Sequence, residues 1–339
     1  MNELFNQGSD IEIVDFKEIL SGKSKAKKYY LKTNKGVEML TKITPTTNAK
    51  ALTTRLENKR QRAEAIAESG VPLSRLIKIE PFGKNTVAHF YEWCKGQTVY
   101  HLLKNGELTE DEAYDLGART GEFLRQIHSI PLRSEEWDTG LDEEVEVYNQ
   151  IKKRLDNSYD KYRELRHKLP VIECLLPFFK DKGVEFLRGR KLCYAHRDYH
   201  SGNIMYDVKS KQIGLIDYSF KPGDAISDLA YVYDSTKHGG LFHPYAKGQV
   251  DGYLALLKKD AEHSNDATIL LKTLREDFVF FFAAKILTLF TKNHDNGTLT
   301  QKKLESVKSI QIRVLKWLDN YFGLDDFEFT EEILEAVRK

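Results

Sequence analysis

Between Leu192 and Asp217 a mostly helical stretch is interrupted by an island of strand-like sequence, and this island constrains the chain more than any other feature. LCYA leads into HRDYHSGN, IMY follows, VKSKQ supplies a turn, and IGLI runs up to Asp217. Short β-favouring runs on either side of a turn read as a hairpin. With IMY paired to IGLI about a turn centred near Ser210, Asn203 and Asp217 stand opposite one another at the open end. Opposed residues hold their Cβ atoms within about 5 Å. An amide oxygen and a carboxylate brought that close are two hard oxygen ligands, a pair that suits Mg²⁺ carrying a phosphate better than zinc. Asp198 lies in the loop that delivers Asn203. A carboxylate beside such a site accepts the proton of an attacking hydroxyl and orients it for in-line displacement. The expected roles are a base at Asp198, metal ligands at Asn203 and Asp217, and a loop brace at His196.

The 339 residues suffice for about two domains. A hydrophobic fraction of 41% with 30% charged residues describes a globular chain, and a net charge of +1 points to no nucleic acid or other polyanionic partner. Local charge still counts: Lys23, Lys25, Lys27, Lys28, Lys32 and Lys35 cluster near the N-terminus, as a solvated face or as an anion site. Cys94, Cys174 and Cys193 are odd in number and form no CxxC, which argues against a disulfide framework and a zinc knuckle and favours a reducing cytoplasm. The start MNELFNQGSDIEIV has no signal-peptide pattern. FVFFFAAKILTLF, residues 278–290, is too short to span a bilayer and carries Lys285, so a buried helix is expected and no membrane association.

The N-terminal part reads as a small sheet with one helix. KKYYLKT and VEMLTKI flank an Asn34-Lys35-Gly36 turn, TNAKALTTRLENKRQRAEAIAES follows as a helix closed by Gly70 and Pro72, and LIKIEPF and TVAHFYEWC form two more strands. Beyond Lys95-Gly96 helices dominate. Thr109 is an N-cap, Ala113, Leu116, Phe123, Leu124 and Ile127 keep helical spacing, and further helices are expected near 143–165, 245–260, 266–292, 298–321 and 330–337. The expected lobes are 1–94 and 95–339.

HRDYHSGN fills every fixed position of the kinase catalytic-loop pattern, and Asp217 falls where D-F-G carries its metal-binding aspartate. With Ile216, Gly223, Asp224, Asp228, Leu229 and Ala230 added, the segment resembles the aminoglycoside phosphotransferase and choline kinase-like branch of the protein kinase-like superfamily. The resemblance implies an α+β fold of two lobes, the first small and β-rich, the second larger and mainly helical. It implies that Lys42 pairs with the nucleotide's inner phosphates and that a helix glutamate, Glu57 first and Glu64 second, supports Lys42. It puts a phosphate-covering turn at Ser21 and Gly22 and an adenine-reading hinge at Glu92 and Cys94. Asp224 reads as a helix N-cap, His200 as a hydrogen-bonded loop residue, and the resemblance makes Asp228 a brace for the catalytic loop. Two departures stand out: Ser219 where many relatives carry an acid or glycine, and Arg197 at a common glycine.

The expected activity is transfer of the γ-phosphate of ATP or GTP, with Mg²⁺, to a hydroxyl of a small molecule such as an aminoglycoside or other antibiotic, or a choline-, homoserine- or sugar-amine-like metabolite. The acidic tail at 323–335 offers either ordinary surface charge or a pocket for a cationic acceptor. Three other readings compete. A metal hydrolase would use alternating His196, Asp198 and His200 as ligands. A kinase-fold regulatory protein would bind nucleotide without turnover. A protein kinase needs an A-P-E-like segment after Asp217, and none follows.

Overall fold

The structure is a computed structural model that describes residues 12–20, 26–83, 85–133 and 192–261 together with Arg313 and Trp317. The expected helices at 143–165, 266–292 and 330–337, most of that at 298–321, the apolar run 278–290, the acidic tail, Ser21, Gly22 and Cys174 lie outside the described residues. The chain folds into two compact units, residues 1–99 with 203–220 and residues 100–202 with 221–339.

The first unit is built on a five-stranded antiparallel sheet of β1 (Ile13–Ile19), β2 (Lys27–Thr33), β3 (Glu38–Pro45), β4 (Leu76–Pro81) and β5 (Thr86–Glu92), in the order β1-β2-β3-β5-β4. The β2–β3 turn closes through Gly36, whose φ of +77° suits glycine. Strand alternation sorts the core by face. Leu31, Met39, Ala88 and Phe90 pack on one side. On the other, Val87, Tyr91 and Leu76 pack against Leu52 and Leu56 of helix α1 (Ala49–Glu68). Asn48 starts that helix by accepting the Ala51 amide at 3.0 Å.

The expected hairpin is present as β8 (Ile204–Asp207) and β9 (Gln212–Leu215), with β6 (Gln97–Thr98) on its outer edge. It belongs with the first unit because Leu215 exchanges backbone hydrogen bonds with the segment after α1: Leu215 N–H to Pro72 at 2.9 Å and Ser74 N–H to Leu215 at 2.9 Å. Gly96 lets β6 approach, since a Cβ there would stand 2.1 Å from the Tyr206 carbonyl.

In the second unit helices α2 (Val99–Asn105), α3 (Glu110–Ser129), α4 (Ala225–Leu229), α5 (Val232–Thr236) and α6 (Phe242–Ala261) accompany a two-stranded ribbon of β7 (Leu192–Ala195) and β10 (Lys221–Asp224). Thr109 opens α3 with a full capping box: its hydroxyl accepts the Glu112 amide at 3.2 Å, and the Glu112 carboxylate accepts the Thr109 amide at 3.0 Å. Ala113, Leu116, Leu124 and Ile127 are buried, while Phe123 is half-buried. Among the described residues no helix is long and apolar enough to cross a membrane.

Helices α3 and α6 meet backbone to backbone. A Cβ on Gly117 would lie 2.1 Å from the Tyr245 carbonyl and one on Gly121 2.0 Å from that of Gln249, while Gly248 and Gly252 face Tyr114 and Ala118 at 2.1 Å each. In an unstrained helix Gly→Ala gains up to about 1 kcal/mol. Here Gly121→Ala is expected to lose about 1–3 kcal/mol through overpacking, read as a lower urea midpoint at unchanged slope; a midpoint at or above the parent's would refute the contact.

Candidate active site

The loop that joins β7 to the hairpin is held from several directions within the second unit. Asp228 of α4 is 2% exposed, and its carboxylate accepts the amides of His196 and, at 2.7 Å, Arg197. Behind it stands His128 of α3, with Nε2 3.4 Å from Asp228 and Nδ1 3.0 Å from the Tyr253 hydroxyl. A buried carboxylate requires such donors. Arg197 has a φ of +69°, a region that favours glycine, the residue that the sequence resemblance leads one to expect there. Its strain is held by three contacts, as its amide meets Asp228, its guanidinium the Pro222 carbonyl, and its own carbonyl the Tyr231 hydroxyl at 2.5 Å. Tyr199 donates to the Thr120 carbonyl of α3 at 2.6 Å. Asp224 caps α4 by accepting the Ile226 amide at 2.8 Å.

Within this fixed loop Asp198 keeps 54% of its side chain exposed. His200 explains itself: Nδ1 accepts the Gly202 amide at 3.0 Å, so Nε2 carries the proton it points at Asp198 Oδ2, 3.5 Å away. Burial disfavours the charged ring, but Asp198 outweighs it and the His200 pKa rises above its ordinary value.

In the first unit the hairpin register is shifted by one from the expectation. Ile204 pairs with Leu215 and Asp207 with Gln212, so Asn203 stands opposite Ile216, whose amide donates to the Asn203 carbonyl at 3.0 Å. The turn is the cause. Asp207 accepts the Lys209 amide at 3.0 Å and the Ser210 hydroxyl at 2.8 Å, and Lys211, at φ +58°, donates to the Asp207 carbonyl at 2.7 Å, closing a loop at 208–211. Asp217 is one residue past the rung and left-handed, at φ +55°. Its carboxylate, 36% exposed, forms an ion pair with Lys42 of β3. Burial alone would raise the Asp217 pKa; Lys42, then Lys28 and Lys59, hold it below the ordinary value.

The helix partners of Lys42 differ from the expectation. Glu57 engages Arg60, three residues on, and Glu64 lies 3.5 Å from the same guanidinium. The residue that α1 presents is Lys59, set on the stripe of Leu52, Leu56, Ala63 and Ile66. Its ammonium lies 4.5 Å from the Tyr218 ring centroid and 5.1 Å from that of Tyr91, and donates to the Tyr91 hydroxyl at 3.3 Å. Burial, then Lys42, lowers its pKa to about 7. A charged residue on an apolar helical stripe is a signal available in the sequence and was missed.

At the expected hinge the Glu92 carbonyl accepts the Ser74 hydroxyl at 2.6 Å, and the Glu92 carboxylate pairs with Arg75. Cys94 packs at Gly214, where a Cβ would stand 2.6 Å from its sulfur, and burial pushes its thiol up to about 11.

The second unit by itself provides an exposed carboxylate oriented by a histidine; the first, by itself, provides an aspartate beside a strand lysine and a buried asparagine on the neighbouring rung. Among the described residues no group of three or more His, Cys, Asp or Glu could hold a metal, so a ligand set made by protein alone, as a zinc hydrolase needs, is absent there. The Asn203 amide and Asp217 carboxylate are instead the sparse oxygen donors that fit Mg²⁺, which keeps waters and takes phosphate oxygens for the rest.

Residues 15–263 match the phosphotransferase enzyme family. Among curated proteins none matches this chain in sequence. Solved structures do. The GDP and kanamycin complex of APH(2″)-IIia superposes with a TM-score of 0.57 at 16% identity, covering 94% of this chain and 98% of that one. The GDP complex of aminoglycoside 2′-phosphotransferase-IIIa gives 0.54 at 14% identity, with coverage of 94% and 97%. A thermostable mutant of aminoglycoside phosphotransferase APH(4)-Ia gives 0.53 at 12%, with coverage of 92% and 96%. At these identities the likeness establishes the fold, which is the α+β protein kinase-like one.

The sheet beneath Lys42 gives a pH test. His89 Nε2 is 2.9 Å from the Thr44 hydroxyl and Nδ1 is 3.1 Å from that of Tyr91. Burial, then Lys42 and Lys59, lowers its pKa to about 3. The unfolded chain therefore binds a proton that the folded one refuses between about pH 6.5 and 3. Stability from this group is complete above pH 6.5 and falls on acidification by up to about 1.4 kcal/mol per pH unit. His89→Gln should flatten that limb in urea unfolding between pH 7 and 5; an unchanged limb would contradict the assignment.

Proposed function

Because the chain belongs to the phosphotransferase enzyme family, and is thus a small-molecule kinase, we propose that it transfers the γ-phosphate of ATP or GTP to a hydroxyl of a small polar acceptor. The observation that carries this reading is Asp198, a half-exposed carboxylate in a loop whose backbone is fixed by Asp228 and whose side chain is met by His200 Nε2. Kanamycin in one fold relative makes amine-bearing, hydroxylated compounds the first acceptors to try. Cys94 and Cys193, neither in a disulfide among the described residues, suit a reducing cytoplasm.

Asp198 takes the proton of the acceptor hydroxyl as its oxygen bonds to the γ-phosphorus and the bond to the β-phosphate oxygen breaks, releasing ADP or GDP. His200 keeps the carboxylate aimed and, as a donor, keeps it ionised. Lys42, paired with Asp217 in this structure, would turn to the nucleotide's phosphate oxygens, and Asp217 and Asn203 are the residues that would hold Mg²⁺. Mg²⁺, when bound, neutralises charge on the transferring phosphates. The protein's own contribution is positioning and fixed charge. The roles expected for Ser21, Gly22, Glu92 and Cys94 toward the nucleotide belong to the same reading.

A nucleotide-consumption screen over hydroxylated amines, choline, homoserine and macrolides, with Asp198→Ala as the blank, tests it. Asp198→Ala should lower kcat by about three orders of magnitude or more and leave nucleotide affinity close to the parent's; full turnover in that variant sinks the assignment. Asp217→Ala should lose Mg²⁺-dependent nucleotide affinity as well. His200→Ala should cut kcat about ten- to a hundredfold with KM for nucleotide unchanged. Nucleotide-dependent thermal stabilisation with no transfer to any acceptor would favour the regulatory reading instead, and label appearing on protein substrates would favour a protein kinase.

A further inference from the structure

Lys59 is one of three lysines whose charges act on Asp217, which Lys42 contacts directly. Lys28 of β2 stands directly opposite Lys42 of β3 in the sheet register, and His89 of β5 continues the same rung. Lys42 and Lys59 lie over one ring, each ammonium 5.1 Å from the Tyr91 centroid. The Asp217 carboxylate is stabilised by all three lysines. Like charges opposed in a sheet repel, and a charge drawn into the interior requires a counter-charge. The rings of Tyr91 and Tyr218 supply part of it for Lys59. No carboxylate forms an ion pair with Lys59 among the described residues, and three ammonium groups around one carboxylate leave an excess of positive charge. The lowered Lys59 pKa has the same origin, burial beside Lys42.

We propose that Lys28 and Lys59 join Lys42 as a three-lysine cradle for the nucleotide's polyphosphate, Lys59 coming from the same helix as Glu57 and Glu64, the expected partners of Lys42. The proposal rests on the reading that a nucleotide is the phosphoryl donor. The incoming phosphates supply the missing negative charge, and Lys42 exchanges the Asp217 carboxylate for phosphate oxygens. Glu57 and Glu64 are already committed to Arg60, so an acidic partner for Lys42 does not come from them.

The test is calorimetric titration of the full-length protein with inorganic tripolyphosphate in the absence of metal, alongside Mg·ATP and Mg·GTP. Lys59→Met keeps the apolar stem between the two rings and removes the charge; Lys28→Met does the same in β2; Lys59→Arg keeps the charge. Each Met variant should bind tripolyphosphate about tenfold more weakly, and the double variant about a hundredfold. The Met variants should also lose part of the salt dependence of binding, while Lys59→Arg stays within about threefold of the parent. Parental or tighter affinity in Lys59→Met with parental urea unfolding overturns the cradle, because the lysine would then be structural or repulsive. Should Lys59→Met not unfold cooperatively, Lys59→Glu and Lys28→Met decide: parental tripolyphosphate affinity in either removes that lysine from the cradle and overturns it. Lysine-dependent tripolyphosphate binding by a parent protein that binds neither nucleotide would uphold the cradle and remove the donor reading. Nucleotide turnover with an indifferent Lys59→Met would do the reverse.

Discussion

The carboxylate of Asp228 is the contact on which the loop at 196–203 depends. Two consecutive backbone amides, His196 and Arg197, end on it, and between them the chain enters the left-handed region with a side chain that ordinarily avoids it. Strain of this kind survives where the surroundings over-determine it. Tyr231 on the Arg197 carbonyl, Pro222 on its guanidinium and Tyr199 on α3 supply that determination, and His128 with Tyr253 fixes the carboxylate from behind. The outcome is a short segment in which the backbone is rigid and one carboxylate, Asp198, remains open to solvent. Asp198 therefore owes its position to contacts made by its neighbours.

A different balance governs the first unit. There the sheet and α1 bring more cations together than anions among the described residues, and the Asp217 carboxylate feels Lys28, Lys42 and Lys59 at once. Neutral His89 and the two tyrosine rings fill the space below without contributing charge. Such a surface is stable enough to fold and still under-neutralised, a condition that an anionic ligand relieves on binding.

Much of this was legible in the sequence, for identifiable reasons. Strand runs, the Asn-Lys-Gly turn and the Thr109 cap are local patterns, and local patterns survive without tertiary information. The hairpin register slipped by one because the 208–211 turn uses Lys211 at positive φ, and no glycine marks it. The resemblance asks for a glutamate on the helix after Lys42, which points to Glu57 or Glu64, whereas the helical stripe of Leu52, Leu56, Ala63 and Ile66 selects Lys59. That the Tyr91 and Tyr218 rings shelter an ammonium depends on strand and loop being brought to the same helix face, which no local pattern encodes. The contribution of His128 needs Asp228 beside it, a pairing across a hundred residues that spacing cannot supply.

The glycines of α3 and α6 carry a consequence for how such a chain changes over generations. Four positions, Gly117, Gly121, Gly248 and Gly252, each face a carbonyl of the opposite helix at a separation that forbids a methyl group. A side chain gained on either helix meets backbone, which cannot change rotamer to make room. Neither helix can therefore drift alone. Loops and acceptor-facing surfaces are free to diversify around them, but these two segments are inherited as one piece, and with them the Thr120 carbonyl on which Tyr199 rests.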